Sequence, residues 1–91
     1  MSEETDEQTL MEFPCDFPIK MMGEDTPEFH HTVRELVEKH TGPLNDEAIN
    51  SAVSRNGRFV SITITVTAES RAQLDAIYRE VTAHDAVLMA L

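Results

Sequence analysis

The residues of this 91-residue chain that are best placed to bind a ligand are Gly23, Glu24, Asp25 and Thr26, which stand between an apolar run and the start of a helix. A glycine lets another molecule approach the backbone closely, so this loop is a candidate site for a small ligand. The loop is acidic and would repel a phosphate, which argues against acyl-phosphate hydrolysis. The alternative is an ordinary strand-to-helix loop that ends in a helix cap.

Outside this loop, no residues form a catalytic or metal-binding motif. His30 and His31 are adjacent on a predicted helix and point about 100° apart, which is a poor arrangement for two ligands of one metal ion. His40 and His84 stand near predicted helix ends, where an imidazolium ion is favoured. Cys15 is the only cysteine, and it has no basic or histidine neighbour in sequence to favour the thiolate. The sequence therefore predicts no metal, no cofactor and no catalytic residue.

The composition indicates one small acidic domain. A net charge of −10 would repel nucleic acids and anionic membranes, so neither is an expected partner. Residues 1–11 contain acidic residues and no Lys or Arg, which predicts a disordered leader ahead of a single domain at 12–91; a docking arm for a basic partner is the alternative. No export signal, no run of about 18 apolar residues and no disulfide framework is present, so we expect a cytoplasmic protein.

A run of β-branched residues at 59–67 predicts a half-buried strand. Its apolar residues alternate with Ser and Thr, so one face of the strand is buried and the other contacts water. The dipeptide Asn56-Gly57 before this run is typical of a β-hairpin, because both residues tolerate positive φ. The other strand of the hairpin is then the less regular segment at 45–54.

Two helices and two further strands complete the chain. The first strand is predicted at about 16–22, with Pro18 at its start, at a bulge or on an unpaired edge. An apolar stripe that Thr26 or Asp25 can cap predicts a helix at about 27–40, and Ser70 begins a second helix with a capping-box pattern. The last strand is predicted at 85–91.

The resulting order β-α-β-β-α-β predicts an α+β ferredoxin-like sandwich, in which two helices cover one face of a four-stranded antiparallel sheet. The first and third strands are central in this topology. Regulatory domains of this fold bind amino acids at the junction of the first strand and first helix, which is where Gly23 to Thr26 stand. RNA-binding domains of the fold need exposed aromatic residues and positive charge. The outer positions here are Ser61, Thr63 and Thr65, only Phe59 could stack on a base, and the chain is acidic, which argues against RNA binding.

The chain resembles the YbeD-like family of small bacterial proteins of unknown function from about residue 10 to residue 91. The resemblance rests on Glu12-Phe13-Pro14, Phe17, Lys20, Met22-Gly23, the hairpin with residues 60–64, and residues 74–80 and 87–91. It implies a ferredoxin-like fold similar to amino-acid-binding regulatory domains. It also implies a link to lipoate metabolism, because relatives are often encoded near lipoate-attachment genes. Two positions depart from the family pattern: Phe59 stands where tyrosine is expected, and Leu88 stands where a basic residue is common.

We therefore expect a non-enzymatic regulatory or protein-binding module. The hydroxyl-rich sheet face, framed by edge strands, predicts association through the sheet with a protein partner or with a second copy. The alternative is a sensor of small amino-acid-like ligands that uses Gly23, Glu24, Asp25 and Thr26.

Overall fold

The alternating run forms strand β3, Phe59–Ala68, in a computed structural model that describes residues 12–91. Every even-numbered residue of β3 is buried, whereas the odd-numbered residues keep part of their surface in solvent. The buried face lies under both helices. The opposite face carries the Ser and Thr side chains that the sequence predicts there. The acidic leader predicted at 1–11 lies outside the described residues.

Strand β1, Cys15–Glu24, runs antiparallel to β3 along its whole length. It extends beyond the predicted 16–22 because the ladder with β3 continues to its last residue. The Lys20 N–H donates to the Leu91 carbonyl oxygen at 3.1 Å on the other side of β1. Backbone groups alternate in an antiparallel ladder, so Pro18 faces the same side as Lys20. Among residues 12–91, no strand residue lies opposite Pro18 on that side, so its missing N–H removes no ladder bond.

Both helices begin at the capping residues that the sequence indicates. Helix α1, Pro27–Thr41, is capped by Thr26, whose Oγ1 accepts a hydrogen bond from the Phe29 N–H at 3.1 Å. Helix α2, Arg71–Ala83, is capped in the same way by the Oγ of Ser70. Apolar residues about one turn apart on each helix pack against the sheet. The buried apolar residues are Ile19, Met21, Phe29, Val33, Val37, Val60, Ile62, Ile64, Val66, Ala68, Leu74, Ile77 and Val81.

Strand β2, Ile49–Val53, forms a hairpin with β3. It is shorter than the predicted segment at 45–54, because a 3-10 turn at Asp46–Ala48 occupies the start of that segment. The predicted hairpin is confirmed, although of the two residues Asn56 and Gly57 only Gly57 has a positive φ, of 79°. The Asn56 side chain instead accepts a backbone N–H bond within the turn. Gly57 therefore supplies the positive φ that the turn requires, and the Asn56 side chain supplies a hydrogen-bond acceptor.

Strand β4, Met89–Ala90, is much shorter than the strand predicted at 85–91, and that prediction was wrong in extent. The residues before β4 form a turn. The Val87 N–H donates to the His84 carbonyl oxygen at 3.1 Å. The Ala86 N–H donates to His84 Nδ1, also at 3.1 Å. The backbone groups engaged in this turn cannot join a ladder, so pairing with β1 begins only after the turn, at Leu88.

The sheet has the order β2-β3-β1-β4, and all neighbouring strands are antiparallel. The first and third strands are central and two helices pack on the sheet, so the predicted ferredoxin-like α+β fold is confirmed. Within residues 12–91, the sheet leaves one face and the outer edges of β2 and β4 in solvent. These surfaces are the ones that the fold leaves for binding.

Glu80 joins the two helices through ion pairs with α1. Its Oε1 accepts a hydrogen bond from Lys39 Nζ at 2.9 Å, and its Oε2 lies 3.0 Å from His40 Nε2. The Lys39 hydrogen bond is the main cause that holds the pKa of Glu80 below its ordinary value of 4.5; partial burial opposes this shift and His40 reinforces it. Because the folded state has the lower pKa, this carboxylate stabilises the fold above about pH 4.5 and loses that effect as the pH falls through the folded-state pKa.

We predict that Glu80→Gln lowers the midpoint of thermal unfolding at about pH 7, and that its difference from the unsubstituted protein shrinks at about pH 3. The reason is that protonation removes the same charge that the substitution removes. Circular dichroism melts across this range measure the difference. Glu69→Gln, at an exposed residue whose carboxylate makes no ion pair among residues 12–91, is the matched control. An equal difference at both pH values would contradict this account.

Candidate functional site

Two small clefts adjoin at the end of the sheet where β1 ends and β4 begins. We call them the acidic cleft, of about 210 Å³, and the apolar cleft, of about 270 Å³. Leu88 lines both clefts, so they are neighbours on one surface. The acidic cleft is lined by Glu24, Thr26, Phe29, Asp85, Ala86 and Leu88, and the apolar cleft by Met22, Gly23, Phe59, Leu88 and Met89.

The acidic cleft holds two carboxylates in different situations. Glu24 Oε2 lies 3.6 Å from the Arg58 guanidinium, in an exposed pair of the kind that contributes little to stability. Asp85 takes part in none of the ion pairs formed among residues 12–91. The Thr26 hydroxyl is already engaged as the cap of α1. A cationic group that entered this cleft would therefore meet Asp85 and would share Glu24 with Arg58.

Gly23 is buried at the end of β1, under the first turn of α1 and the loop before β4. A Cβ atom added here would lie 2.6 Å from the Ala86 carbonyl oxygen and 2.6 Å from Phe29 Cε1. Real Cβ atoms do not approach other atoms so closely, so the glycine is required for packing. The close approach that Gly23 permits is to Phe29 and Ala86, and its predicted role in ligand binding stays a prediction.

The four residues predicted as a ligand loop separate in the structure. Glu24 and Thr26 line the acidic cleft together, and Gly23 lines the apolar cleft. Asp25 lines neither cleft: its Oδ1 lies 2.8 Å from His30 Nε2, and its backbone N–H donates to the Arg58 carbonyl oxygen at 2.9 Å. Asp25 therefore fixes the loop to α1 and to the hairpin.

The apolar cleft consists of side chains at the ends of three strands. Met22 and Met89 are opposite one another in the β1–β4 ladder, and the Leu88 N–H donates to the Met22 carbonyl oxygen at 2.8 Å. Leu88 is 63% exposed and Met89 is 50% exposed. The Arg58 guanidinium carbon lies 5.2 Å from the centroid of the Phe59 ring, in a cation–π contact. The cleft thus presents flexible apolar side chains beside one cation.

Sequence reasoning missed Asp85, Met89 and the cleft role of Leu88 and Phe59. The sequence predicts one continuous strand at 85–91, which includes Asp85 and Met89, whereas the turn at His84 interrupts the strand before Met89. A signal was nevertheless available for the other two. Phe59 and Leu88 are the positions at which the chain departs from the YbeD-like pattern, and both line the apolar cleft.

Residues 12–91 contain no group of three or more His, Cys, Asp or Glu side chains that could hold a metal ion. Three of the histidines each lie near a carboxylate, in the pairs His30–Asp25, His31–Glu35 and His40–Glu80. No buried polar or charged residue occurs in the described part of the chain. No helix there is long and apolar enough to cross a bilayer.

Comparison with known proteins gives a family but no activity. A family model described as "Protein of unknown function (DUF493)" matches residues 8–91. A UPF0250 protein of Chromobacterium violaceum is 47% identical over 91 residues, which is the full length of both chains. A UPF0250 protein of Paraburkholderia phytofirmans is 42% identical over 84 residues, 92% of this chain and 94% of that protein. The solution structure of HP0495 from H. pylori matches with a TM-score of 0.67 and 20% identity, covering 89% of this chain and 85% of that one, which supports the fold alone.

We predict that Gly23→Ala lowers the free energy of unfolding by about 1–3 kcal/mol, because the added methyl group collides with the Ala86 carbonyl and the Phe29 ring. Urea denaturation measures this loss. The same substitution in a Phe29→Leu background should have a smaller effect, since the ring atoms that it meets are gone. A Gly23→Ala protein as stable as the original would contradict the packing role of this glycine.

Proposed function

The chain belongs to the DUF493 family, a family of unknown function, and from that premise we propose that it is a non-enzymatic module that binds another protein at the acidic and apolar clefts. The observation that carries this proposal is the exposure of Leu88 and Met89, at 63% and 50%, around a concave apolar surface. The segment of the partner that binds here is proposed to carry an apolar side chain beside a Lys or Arg.

The apolar half of this recognition follows from burial. Single exposed apolar residues are common on protein surfaces, but several around one cleft are typical of interaction sites. Leu88 and Met89 are 63% and 50% exposed, so covering the surface that remains contributes about 1–2 kcal/mol for each residue, a fraction of the value for full burial. The methionine side chains are flexible and polarizable, so they can adjust to the shape of an inserted apolar group.

The basic half follows from charge. The protein has a net charge of −10, so long-range attraction favours a basic partner over an acidic one. Asp85, beside Leu88, is available for a direct ion pair, and Glu24 is only weakly held by Arg58. A Lys or Arg next to the apolar anchor would therefore reach a carboxylate in the neighbouring cleft.

A non-enzymatic role is proposed because the described residues offer little for acid–base catalysis. Catalytic acids and bases usually owe a perturbed pKa to burial and to close charge partners. Residues 12–91 contain no buried charged side chain. The proposed setting is the cytoplasm, and the link to lipoate metabolism that the YbeD-like resemblance implies would make the partner a protein of lipoate attachment.

A second candidate is a sensor for a small amino-acid-like ligand. The observation in its favour is the acidic cleft, which Glu24 and Thr26 line beside α1. An amine of such a ligand would pair with Asp85 and Glu24. The volume of about 210 Å³ is below the range of about 300–1,000 Å³ that is usual for ligand sites, so protein binding remains the leading proposal.

We predict that the immobilised protein retains a discrete partner from a native bacterial extract. Leu88→Glu should lower the amount retained at least about tenfold, because a charge then replaces a central apolar anchor. Retention should also fall as salt rises from about 0.05 to about 0.3 M. Quantitative mass spectrometry of the retained proteins measures both effects.

Ala72→Glu is the matched control, because Ala72 is an exposed apolar residue on α2 that lines neither cleft, and the substitution adds the same charge. Both variants should keep the thermal midpoint of the original protein, since neither side chain is buried. Equal retention by Leu88→Glu and Ala72→Glu would overturn the proposed site.

A further inference from the structure

We propose that the outer edge of β2 pairs with β2 of a second copy of this chain, in a two-fold antiparallel arrangement that joins two four-stranded sheets into one. In the strand order β2-β3-β1-β4, this edge is at the opposite end from the strand that lines the apolar cleft. The proposed contact between two copies is therefore separate from the proposed partner site.

The backbone of β2 directs every second residue toward the open edge. The Ser54 N–H donates to the Phe59 carbonyl oxygen at 2.7 Å, so Ser54 faces β3. The alternation of an antiparallel ladder then directs the backbone groups of Ile49, Ser51 and Val53 away from β3. Among residues 12–91, no other strand pairs with them. These are strong hydrogen-bonding groups that a second strand can satisfy.

Strand β2 lacks the features that usually keep a sheet edge from pairing. Edge strands are commonly protected by Lys, by Pro, by a bulge or by very short length. The sequence Ile-Asn-Ser-Ala-Val has no charge and no proline, and its register with β3 is continuous from Ile49 to Val53. By contrast, the edge strand β4 has only two residues.

One register of two copies satisfies all three outward-facing residues. When Ser51 lies opposite Ser51 of the second copy, Ile49 lies opposite Val53 in both halves of the pair. Each of these three pairs exchanges two N–H···O=C bonds, because all their backbone groups point outward. The Ile–Val pairs also bring β-branched side chains together and cover Val53, which is 56% exposed.

The charges that flank β2 favour the same register. Glu47 and Arg55 each stand four residues from Ser51, on opposite sides. Glu47 lies in the 3-10 turn just before β2 and Arg55 lies in the hairpin turn just after it, so the two-fold axis places the acidic end of each strand beside the basic end of the other and allows two ion pairs. Both residues are exposed, and neither takes part in an ion pair among residues 12–91. A shift of two residues would separate these charges and lose backbone bonds.

The contact between the two copies is small, so we expect the association to be weak and reversible. Five strand residues span about 17 Å, so the buried area falls in the class below about 1,200 Å² that is typical of transient contacts. The net charge of −10 on each copy opposes association at low ionic strength. At about 0.15 M salt the Debye length is about 8 Å. Salt therefore screens the long-range repulsion between the two copies, whereas ion pairs in direct contact are screened less.

Sedimentation equilibrium at about 0.15 M salt tests the proposal over protein concentrations from about 10 μM to about 1 mM. The apparent mass should rise with concentration from 10.2 kDa toward twice that value. Glu47→Arg and Arg55→Glu should each lower the association constant about tenfold, because each places like charges opposite one another at two sites. The double variant should restore association, because a positive charge at position 47 of each copy then lies near a negative charge at position 55 of the other.

The two single variants change the net charge in opposite directions, so a general charge effect cannot weaken both. Arg79→Glu, an equal charge change on α2, is the matched control and should leave association unchanged. Thermal melts of every variant check folding. A constant mass of 10.2 kDa at all concentrations, or a double variant that associates no better than the single ones, would overturn the proposal.

Discussion

The antiparallel pairing of β1 with β3 is the interaction on which the rest of the structure depends. It runs from Cys15–Ala68 to Glu24–Phe59, and the other two strands attach to its outer sides. Because side chains alternate along a strand, a slip of one residue would turn every buried residue of β3 into solvent. The same register places Glu24 beside Phe59 and so brings the acidic and apolar clefts together. The core and the candidate site are therefore set by one ladder.

The two ends of the sheet differ because their edge strands differ. β4 is short since the turn at His84 engages the backbone before it, and this leaves Leu88 and Met89 half in solvent. β2 is regular and uncharged, so its backbone is the part that is free to pair. A partner bound by the side chains at the β4 end of the sheet would therefore not block backbone pairing at the β2 edge. A two-copy assembly would then carry two partner sites at its far ends.

Local signals in the sequence predict most of the fold. The alternation of 59–67, the caps at Thr26 and Ser70 and the Asn56-Gly57 turn each depend on residues a few positions apart, and the structure contains all of them. The clefts depend on contacts between distant segments, and no local pattern carries that information.

Gly23 and β4 illustrate the difference. The sequence indicates that Gly23 allows a close approach, but only the packing identifies Phe29 and Ala86 as the groups that approach it. The extent of β4 depends on a hydrogen bond from Ala86 to the His84 side chain, which alternation cannot reveal.

The most direct test of the account is an NMR titration of the ¹⁵N-labelled protein with the capped dipeptides acetyl-Leu-Arg-amide and acetyl-Leu-Glu-amide at about millimolar concentrations. The account predicts amide shift changes at Met22, Phe59, Asp85, Leu88 and Met89 with the arginine peptide, and clearly smaller ones with the glutamate peptide. Free arginine should affect the acidic cleft alone if the sensor alternative holds. Equal responses to both peptides, or changes centred on the exposed surfaces of the helices, would contradict the proposed recognition of an apolar side chain beside a basic one.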